Sequence, residues 1–294
     1  MKCFHYSMVI QAAFKCVLKT LIVMFSLGLV TIASAEDTLR TTVFPIGEIF
    51  QPIVADTKEP QFSAGFRNVK TDGPLEEFTA ALVSYGEHFG LARWESSDQK
   101  KWQVSVLGAV FAQFNMDSDS ADLINADYTI GFAGTHRHGP VSWRFRLFHQ
   151  STHLGDEFLL SEDEVERVNF SLEAIDLAGS YEWEQWRALA GVLYILHVDP
   201  RNVDNTGVQF GLEFNDTETQ LLGGRWLSGI DLQMWDQQQW GINTSIRTGI
   251  EYGRQGSGNR RIRVMLTAYD GKIPFGQFYD VDTTAYGFSV YLGY

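Results

Sequence analysis

A histidine and a serine stand two residues apart, at positions 149 and 151, in a stretch that alternates between apolar and polar residues. Because residues i and i+2 of an extended strand lie on the same face, His149 and Ser151 project from the same side. An imidazole placed in this way can take the proton of a serine hydroxyl and activate it as a nucleophile. The pair is therefore the strongest candidate in the chain for covalent catalysis.

The strand predicted to carry this pair, residues 141–152, separates two kinds of side chain. The row that ends in His149 and Ser151 is otherwise apolar, whereas the other row is basic: Trp143, Phe145 and Leu147 stand against Arg144 and Arg146. Mid-strand arginines opposite an apolar row are typical of a barrel with a polar interior and a lipid-facing exterior. The pair is then expected on the lipid-facing side, where polar groups are costly and need a reason.

The same period-two alternation recurs along most of the chain, and it continues to the aromatic residue Tyr294. About twelve strands are predicted, at residues 62–67, 79–92, 102–114, 123–134, 141–152, 167–182, 187–198, 207–215, 222–235, 240–253, 260–269 and 284–294. An even number of strands, with short turns at one end and long acidic loops at the other, fits a bacterial barrel. The sequence therefore predicts an all-β fold, an antiparallel transmembrane β-barrel of outer-membrane type, over residues 62–294.

Residues 1–35 have the features of a secretory signal peptide. Lys2, Lys15 and Lys19 precede a short apolar run, and a small-residue cleavage site ends at Ala35. The run is shorter than the ~20 residues of a spanning helix, which disfavours a membrane anchor. We expect cleavage after Ala35, and we expect residues 36–61 to form an ordered periplasmic segment before the barrel. Whether that segment enters the barrel is left open by the sequence.

Cleavage would remove both cysteines, Cys3 and Cys16, together with the three lysines of the leader. A mature chain without cysteine has no disulfide framework and no thiolate metal site. The loss of three positive charges would take the net charge from −13 to −16. Such an acidic product is a poor candidate for binding nucleic acid, which requires basic patches.

Several segments of the chain resemble an uncharacterised bacterial family, domain of unknown function 1207. The similar segments are residues 44–47 (Phe-Pro-Ile-Gly), 50–56, 58–62, 149–157 and 169–171. The resemblance covers nearly the whole predicted mature chain. It implies a location in the bacterial envelope and supplies no established activity.

The His-x-Ser pair on an outward strand face also resembles two families of outer-membrane lipid hydrolases, phospholipase A and the lipid A deacylases. In both families a third residue on the neighbouring strand orients the histidine, an Asn in the phospholipase and a Glu in the deacylase. By this resemblance Ser151 would attack an ester carbonyl, His149 would take and return the proton, and Asn169 would orient the imidazole. Glu173 is the reserve candidate for the orienting role.

The phospholipase resemblance makes calcium a candidate cofactor. The phospholipase follows its serine with Asn-Gly and a calcium-binding segment, whereas this chain has Thr152-His153-Leu154 in place of that start. Asp156 and Glu157, together with His153, could hold a divalent cation at the outer surface. The alternative is that these acidic residues simply face water.

Two functions are compatible with the sequence. In the first, the protein is a serine esterase of the cell outer membrane that acts on membrane lipid or lipopolysaccharide. In the second, it is a non-enzymatic barrel such as a narrow channel, an adaptor or an envelope-stability protein, and His149 and Ser151 are polar residues beyond the edge of the membrane. In both cases the outer-membrane assembly machinery is an expected partner during biogenesis, and the oligomeric state is left open.

Overall fold

Antiparallel strands make up nearly all of the regular structure of this protein. A computed structural model describes residues 39–72, 75–161, 168, 170–199, 204–218, 220–254 and 259–293. The predicted signal peptide falls outside this description, so cleavage after Ala35 stays a prediction. No helix within the described residues is long and apolar enough to cross a bilayer.

Thirteen strands, one short α-helix and two 3₁₀ helices (Asp236–Gln238 and Gly276–Phe278) are present in the described residues. The strands are β1 (Arg40–Val43), β2 (Phe62–Thr71), β3 (Glu77–Glu95), β4 (Lys100–Asn115), β5 (Asp122–His138), β6 (Val141–Leu154), β7 (Ser171–Trp183), β8 (Trp186–Asp199), β9 (Thr206–Asn215), β10 (Arg225–Trp235), β11 (Ile242–Gly253), β12 (Arg261–Lys272) and β13 (Asp282–Gly293). The helix α1 (Asp156–Ser161) follows β6.

Strands β2 to β13 close a barrel of 12 strands. Each pairs antiparallel with the next one in the chain, and β13 pairs with β2. β1 lies beside the end of β3, at residues 92–95. This arrangement confirms the predicted antiparallel barrel of about 12 strands. The end at which β2 begins and β13 ends is called the terminal end below, and the opposite end the loop end.

The observed strands differ from the predicted spans mainly at their boundaries. β2 was predicted to end at residue 67 but continues to Thr71, which pairs with Thr283. β7 begins at Ser171 instead of residue 167. β10 begins at Arg225 instead of residue 222, because Leu222 and Gly223 have φ angles of 52° and 80° and form a tight turn. An extended strand cannot contain two such left-handed residues.

Residues 47–61, called the plug below, lie inside the barrel. Phe50 and Ile53 are completely buried and pack against Ala178 and Leu189 of the wall. Further along, Val54 packs against inward-facing residues of three other strands: Leu227, Met265 and Tyr291. The larger part of the segment predicted to precede the barrel is therefore located within its interior.

The plug pairs with inward-facing charges of the barrel wall. Arg144 donates from Nη1 to both carboxylate oxygens of Glu59, at 2.9 and 3.0 Å. The wall also satisfies the plug's backbone: Arg187 donates to the Gln51 carbonyl at 2.9 Å, Arg247 donates to the Val54 carbonyl at 2.9 Å, and Glu213 accepts from the Val54 N–H at 2.7 Å. Because a buried charge without a partner is costly, these contacts explain why the segment enters the barrel.

Helix α1 and residues 273–281, together called the cap below, cover the barrel at the loop end. Phe158 of α1 and Phe278 meet edge to face, with their ring centroids 6.2 Å apart. Gly276 has a φ of 24°, and a Cβ added there would come within 1.9 Å of the Thr152 hydroxyl. Only glycine fits such a close approach between the cap and β6. The plug and the cap together fill much of the interior.

The first prediction concerns the buried pair that joins the plug to the wall. Glu59→Gln should destabilise the barrel by about 3 kcal/mol, because it leaves the Arg144 guanidinium buried without its main counter-charge. The measurement is the midpoint of urea unfolding of the refolded protein in lipid vesicles, followed as the loss of the compact band in unheated gels. The matched control is Glu77→Gln, since Glu77 pairs with Lys70 on the surface. That change should alter stability by less than about 1 kcal/mol. Equal midpoints for the two variants would contradict a structural role of the plug.

Candidate functional site

The candidate site lies on the outward face of strands β6, β7 and β8 near the loop end. In β6 the even-numbered side chains point inward, including the buried Arg144 and Thr152, so His149 and Ser151 point outward. The pairing of four neighbouring strands aligns Ile130, His149, Glu173 and His197 in one row across the outer surface. This row is the centre of the site.

Glu173 stands directly opposite His149 on the neighbouring strand. The Thr152 N–H donates to the Phe170 carbonyl at 2.9 Å, which makes these two residues a hydrogen-bonded pair. By the alternation of an antiparallel ladder, His149 and Glu173 form a non-hydrogen-bonded pair, in which side chains approach most closely. The His149 Nδ1 and Glu173 Oε1 atoms are 2.8 Å apart.

This hydrogen bond determines which nitrogen of His149 can act as a base. An ionised carboxylate only accepts hydrogen bonds, so Nδ1 carries the proton and Nε2 is left with a free lone pair. A carboxylate also stabilises the imidazolium that forms when the ring takes up a proton. Glu173 therefore orients His149 as the third member of a nucleophilic triad does.

A second histidine binds the same carboxylate from the other side. His197 Nδ1 lies 2.9 Å from Glu173 Oε2, so each oxygen of the carboxylate is matched by one imidazole. Sequence reasoning missed His197, because the regular alternation of β8 would turn it inward. Residues 192–196 are continuously apolar, so the sequence shows no alternation there that would reveal the change of face before His197.

Ser151 lies one step towards the loop end on the same outward row of β6. It is opposite Tyr128 on β5 and Ser171 on β7. Ser151 is partly exposed, as are His149 and Glu173. Ser151, His149 and Glu173 are the side-chain types needed for nucleophilic attack on an ester, and they share one open face. Within the part of the chain that the structure describes, the hydrogen bond of His149 is to Glu173, and none joins its ring to the Ser151 hydroxyl.

Asn169, our first choice for the orienting residue, lies outside the described residues, and its predicted role stays a prediction. Glu173, the reserve candidate, is the residue that contacts His149. The alternation of β7 was ambiguous in the sequence because Phe170 and Leu172 are apolar yet face inward. They do so because the interior is apolar beneath the cap, where the rings of Phe170 and Tyr279 lie 5.6 Å apart.

The site lies at one edge of the apolar band on the outside of the barrel. Tyr181 and Trp183 stack near the terminal end, and Trp186 contacts Phe214 there. Glu173 precedes Tyr181 by eight residues. At ~3.3 Å per residue and a tilt of ~40°, it lies about 20 Å from that aromatic group along the barrel axis. Because the apolar band of such barrels is about 25 Å tall, Glu173 is located near its opposite edge.

The predicted cation ligands lie beyond this row. Asp156 and Glu157 are exposed residues in the first turn of α1, and His153 contacts the edge of the Tyr128 ring, with centroids 5.5 Å apart. Among the described residues, no group of three or more His, Cys, Asp or Glu side chains could hold a metal ion. The roles of Asp156 and Glu157 stay predictions.

Solved outer-membrane proteins share the fold of this chain. The barrel is similar to that of outer membrane phospholipase A from Escherichia coli in an active-site mutant form, with a TM-score of 0.54 and 11% identity over 84% of this chain and 94% of that chain. The Salmonella typhi outer membrane phospholipase dimer with bound calcium gives a TM-score of 0.52 and 10% identity over the same shares. At these identities the likeness is one of fold, and it defines an outer-membrane-type β-barrel.

A family model identifies the chain more specifically. The model for proteins of unknown function, DUF1207, matches residues 26–294, so the chain belongs to this family. This confirms the resemblance noted in the sequence. A comparison with curated protein sequences finds no match.

The second prediction tests the register that assembles the site. Ser151 and Ser171 form a non-hydrogen-bonded pair, and the Cα atoms of such a pair lie ~4.5 Å apart, within the range that a disulfide can bridge. In the refolded segment 36–294, which has no cysteine, the double variant Ser151→Cys/Ser171→Cys should form a disulfide on mild oxidation. The control is Ser151→Cys/Leu172→Cys, which should not, because Leu172 faces the interior. Equal oxidation of the two variants would refute the register.

Proposed function

We propose that the protein is an outer-membrane esterase that cleaves an acyl ester of phospholipid or lipopolysaccharide. Ser151 is the nucleophile, His149 the general base and Glu173 the orienting residue. The observation that carries this proposal is the 2.8 Å hydrogen bond between His149 and Glu173 on an outward face that also carries Ser151.

The reaction follows from the roles of these three side chains. The Nε2 lone pair of His149 accepts the Ser151 hydroxyl proton as the serine oxygen attacks the ester carbonyl. The tetrahedral intermediate collapses, the alkoxide leaving group receives the proton from His149, and an acyl-serine remains. Water then gives a proton to His149 and its oxygen attacks the acyl group. The free carboxylic acid leaves, and Ser151 recovers its proton.

The surroundings of the site favour a lipid substrate over a soluble ester. Ile130, Leu147 and Leu196 are exposed apolar side chains beside the His149–Glu173 pair. The glycerol and sugar esters of a membrane lipid lie at the boundary between the hydrocarbon and the headgroups. A nucleophile at the edge of the apolar band can therefore meet an ester without extracting the lipid from the membrane.

The plug and the cap argue against the alternative of a narrow channel. The plug crosses the interior and pairs with its charged walls, while the cap covers the loop end with apolar side chains. The exposed apolar outer face supports location in a bacterial outer membrane and biogenesis by the outer-membrane assembly machinery. A non-enzymatic role as an adaptor or envelope-stability protein remains the competing proposal, and the experiment below separates it from the esterase.

The third prediction is that the refolded protein hydrolyses lipid in a Ser151-dependent manner. Phospholipid and lipid A are supplied in mixed micelles with calcium or with a chelator, and released fatty acid is measured by mass spectrometry. Ser151→Ala should lower kcat/KM by about 10³-fold or more, because the nucleophile is lost. Ser171→Ala is the matched control, since it removes the opposite hydroxyl of the same row.

Each outcome of this experiment has a definite meaning. Activity that Ser151→Ala abolishes and Ser171→Ala retains supports the proposed nucleophile, and the calcium arm tests the predicted cofactor. If the two serine variants behave in the reverse way, Ser171 is the nucleophile and the assignment is wrong. Lack of fatty-acid release from both lipids by the folded wild type would favour the non-enzymatic barrel.

A further inference from the structure

A β-bulge places His197 on the outer surface of the barrel. In the pairing of β7 with β8, Glu173 is opposite His197 but the next residue, Ala174, is opposite Ile195. Leu196 is the extra residue, and both Leu196 and His197 are exposed, while Ile195 and Val198 are buried. Without the extra residue His197 would face the interior. Bulges that redirect a side chain in this way are frequent beside active sites.

The bulge gives Glu173 a hydrogen-bond partner on each side. His149 Nδ1 binds Oε1 at 2.8 Å, and His197 Nδ1 binds Oε2 at 2.9 Å. The Glu173 side chain is about two-fifths exposed, so little packing restrains its terminal torsion. A donor on the second oxygen restrains the plane of the carboxylate and thereby the direction in which the first oxygen points.

The two histidines are not equivalent in their surroundings. Ser151 lies two residues after His149 on the same face of its strand. Asp199 occupies the corresponding position two residues after His197. A carboxylate in that position offers no hydroxyl for an imidazole to activate. Ser171 lies between the two strands, opposite both Ser151 and Asp199. With Ser151 as the nucleophile, His149 is the histidine placed to act as the base, and His197 acts on it through Glu173.

We infer that His197 is a positioning residue, which holds the Glu173 carboxylate so that the carboxylate aligns His149 towards Ser151. This inference rests on the proposed esterase function. Small errors in alignment are costly, since a misplacement of about 1 Å can lower a catalysed rate by ~10²-fold. Because His197 lies on the far side of Glu173 from Ser151, its loss should affect the chemical step and leave substrate binding intact.

The fourth prediction uses two replacements of His197. His197→Ala should lower kcat by about 10- to 100-fold and leave KM within about threefold, because the transition state is affected more than the ground state. His197→Asn should restore kcat to within about fivefold of the wild type. The amide nitrogen of Asn is attached to Cγ, as Nδ1 is in histidine, and it can donate to the same carboxylate oxygen.

The controls separate this inference from the proposed function. His138→Ala, at an exposed histidine of the opposite end, should leave kcat unchanged. Inactive wild-type protein would overturn the esterase and this inference with it. If the wild type is active through Ser151 but His197→Ala keeps full kcat, or changes KM alone, His197 is not a positioning residue. An Asn variant as slow as the Ala variant would also overturn the inference, since the lost hydrogen bond would not be the cause.

Discussion

The structure depends on the pairing of charged groups inside a closed sheet. A 12-strand barrel with polar residues inside cannot leave arginines such as Arg144 and Arg247 without partners, because a buried unpaired charge is costly. The wall supplies some partners itself, as when Glu251 pairs with Arg225 and Arg263. The plug supplies others, as when Glu59 pairs with Arg144. Wall side chains also bind backbone groups of the plug, including the Gln51 and Val54 carbonyls, which lowers the cost of burying an irregular segment.

The plug also affects the outer surface. Arg144 and Arg187 hold the wall strands β6 and β8 from within. Their Cζ atoms lie 4.9 and 4.7 Å from the centroid of the Phe50 ring of the plug. These strands carry His149 and His197 on their other faces, further along towards the loop end. Functional side chains hold their geometry best on rigid strands supported by a packed layer. The plug thus supports an outward site that it does not touch.

The strands could be predicted from the sequence because the two faces of the wall are chemically different over most of their length. That condition fails in three places. The interior is apolar beneath the cap, so Phe170 and Leu172 obscured the orientation of β7. The sequence of the plug has no regular alternation of apolar and polar residues, because its side chains contact several different strands. The bulge at Leu196 reverses the alternation, and only cross-strand pairing reveals that His197 joins the site.

The site itself could be predicted only in part, for a reason that lies in its geometry. His149 and Ser151 are neighbours within one strand, and period two is enough to unite them. Glu173 joins them through the register between β6 and β7, which the sequence did not define, and it was therefore only the reserve choice.

A carboxylate differs from an amide in how it acts on the neighbouring imidazole at the edge of a lipid layer. It stabilises the protonated imidazole by charge where the surroundings are poorly polar, and this effect is stronger there than in water. The same poor solvation makes an unpaired carboxylate costly, and two imidazole donors on Glu173 reduce that cost while they fix its orientation.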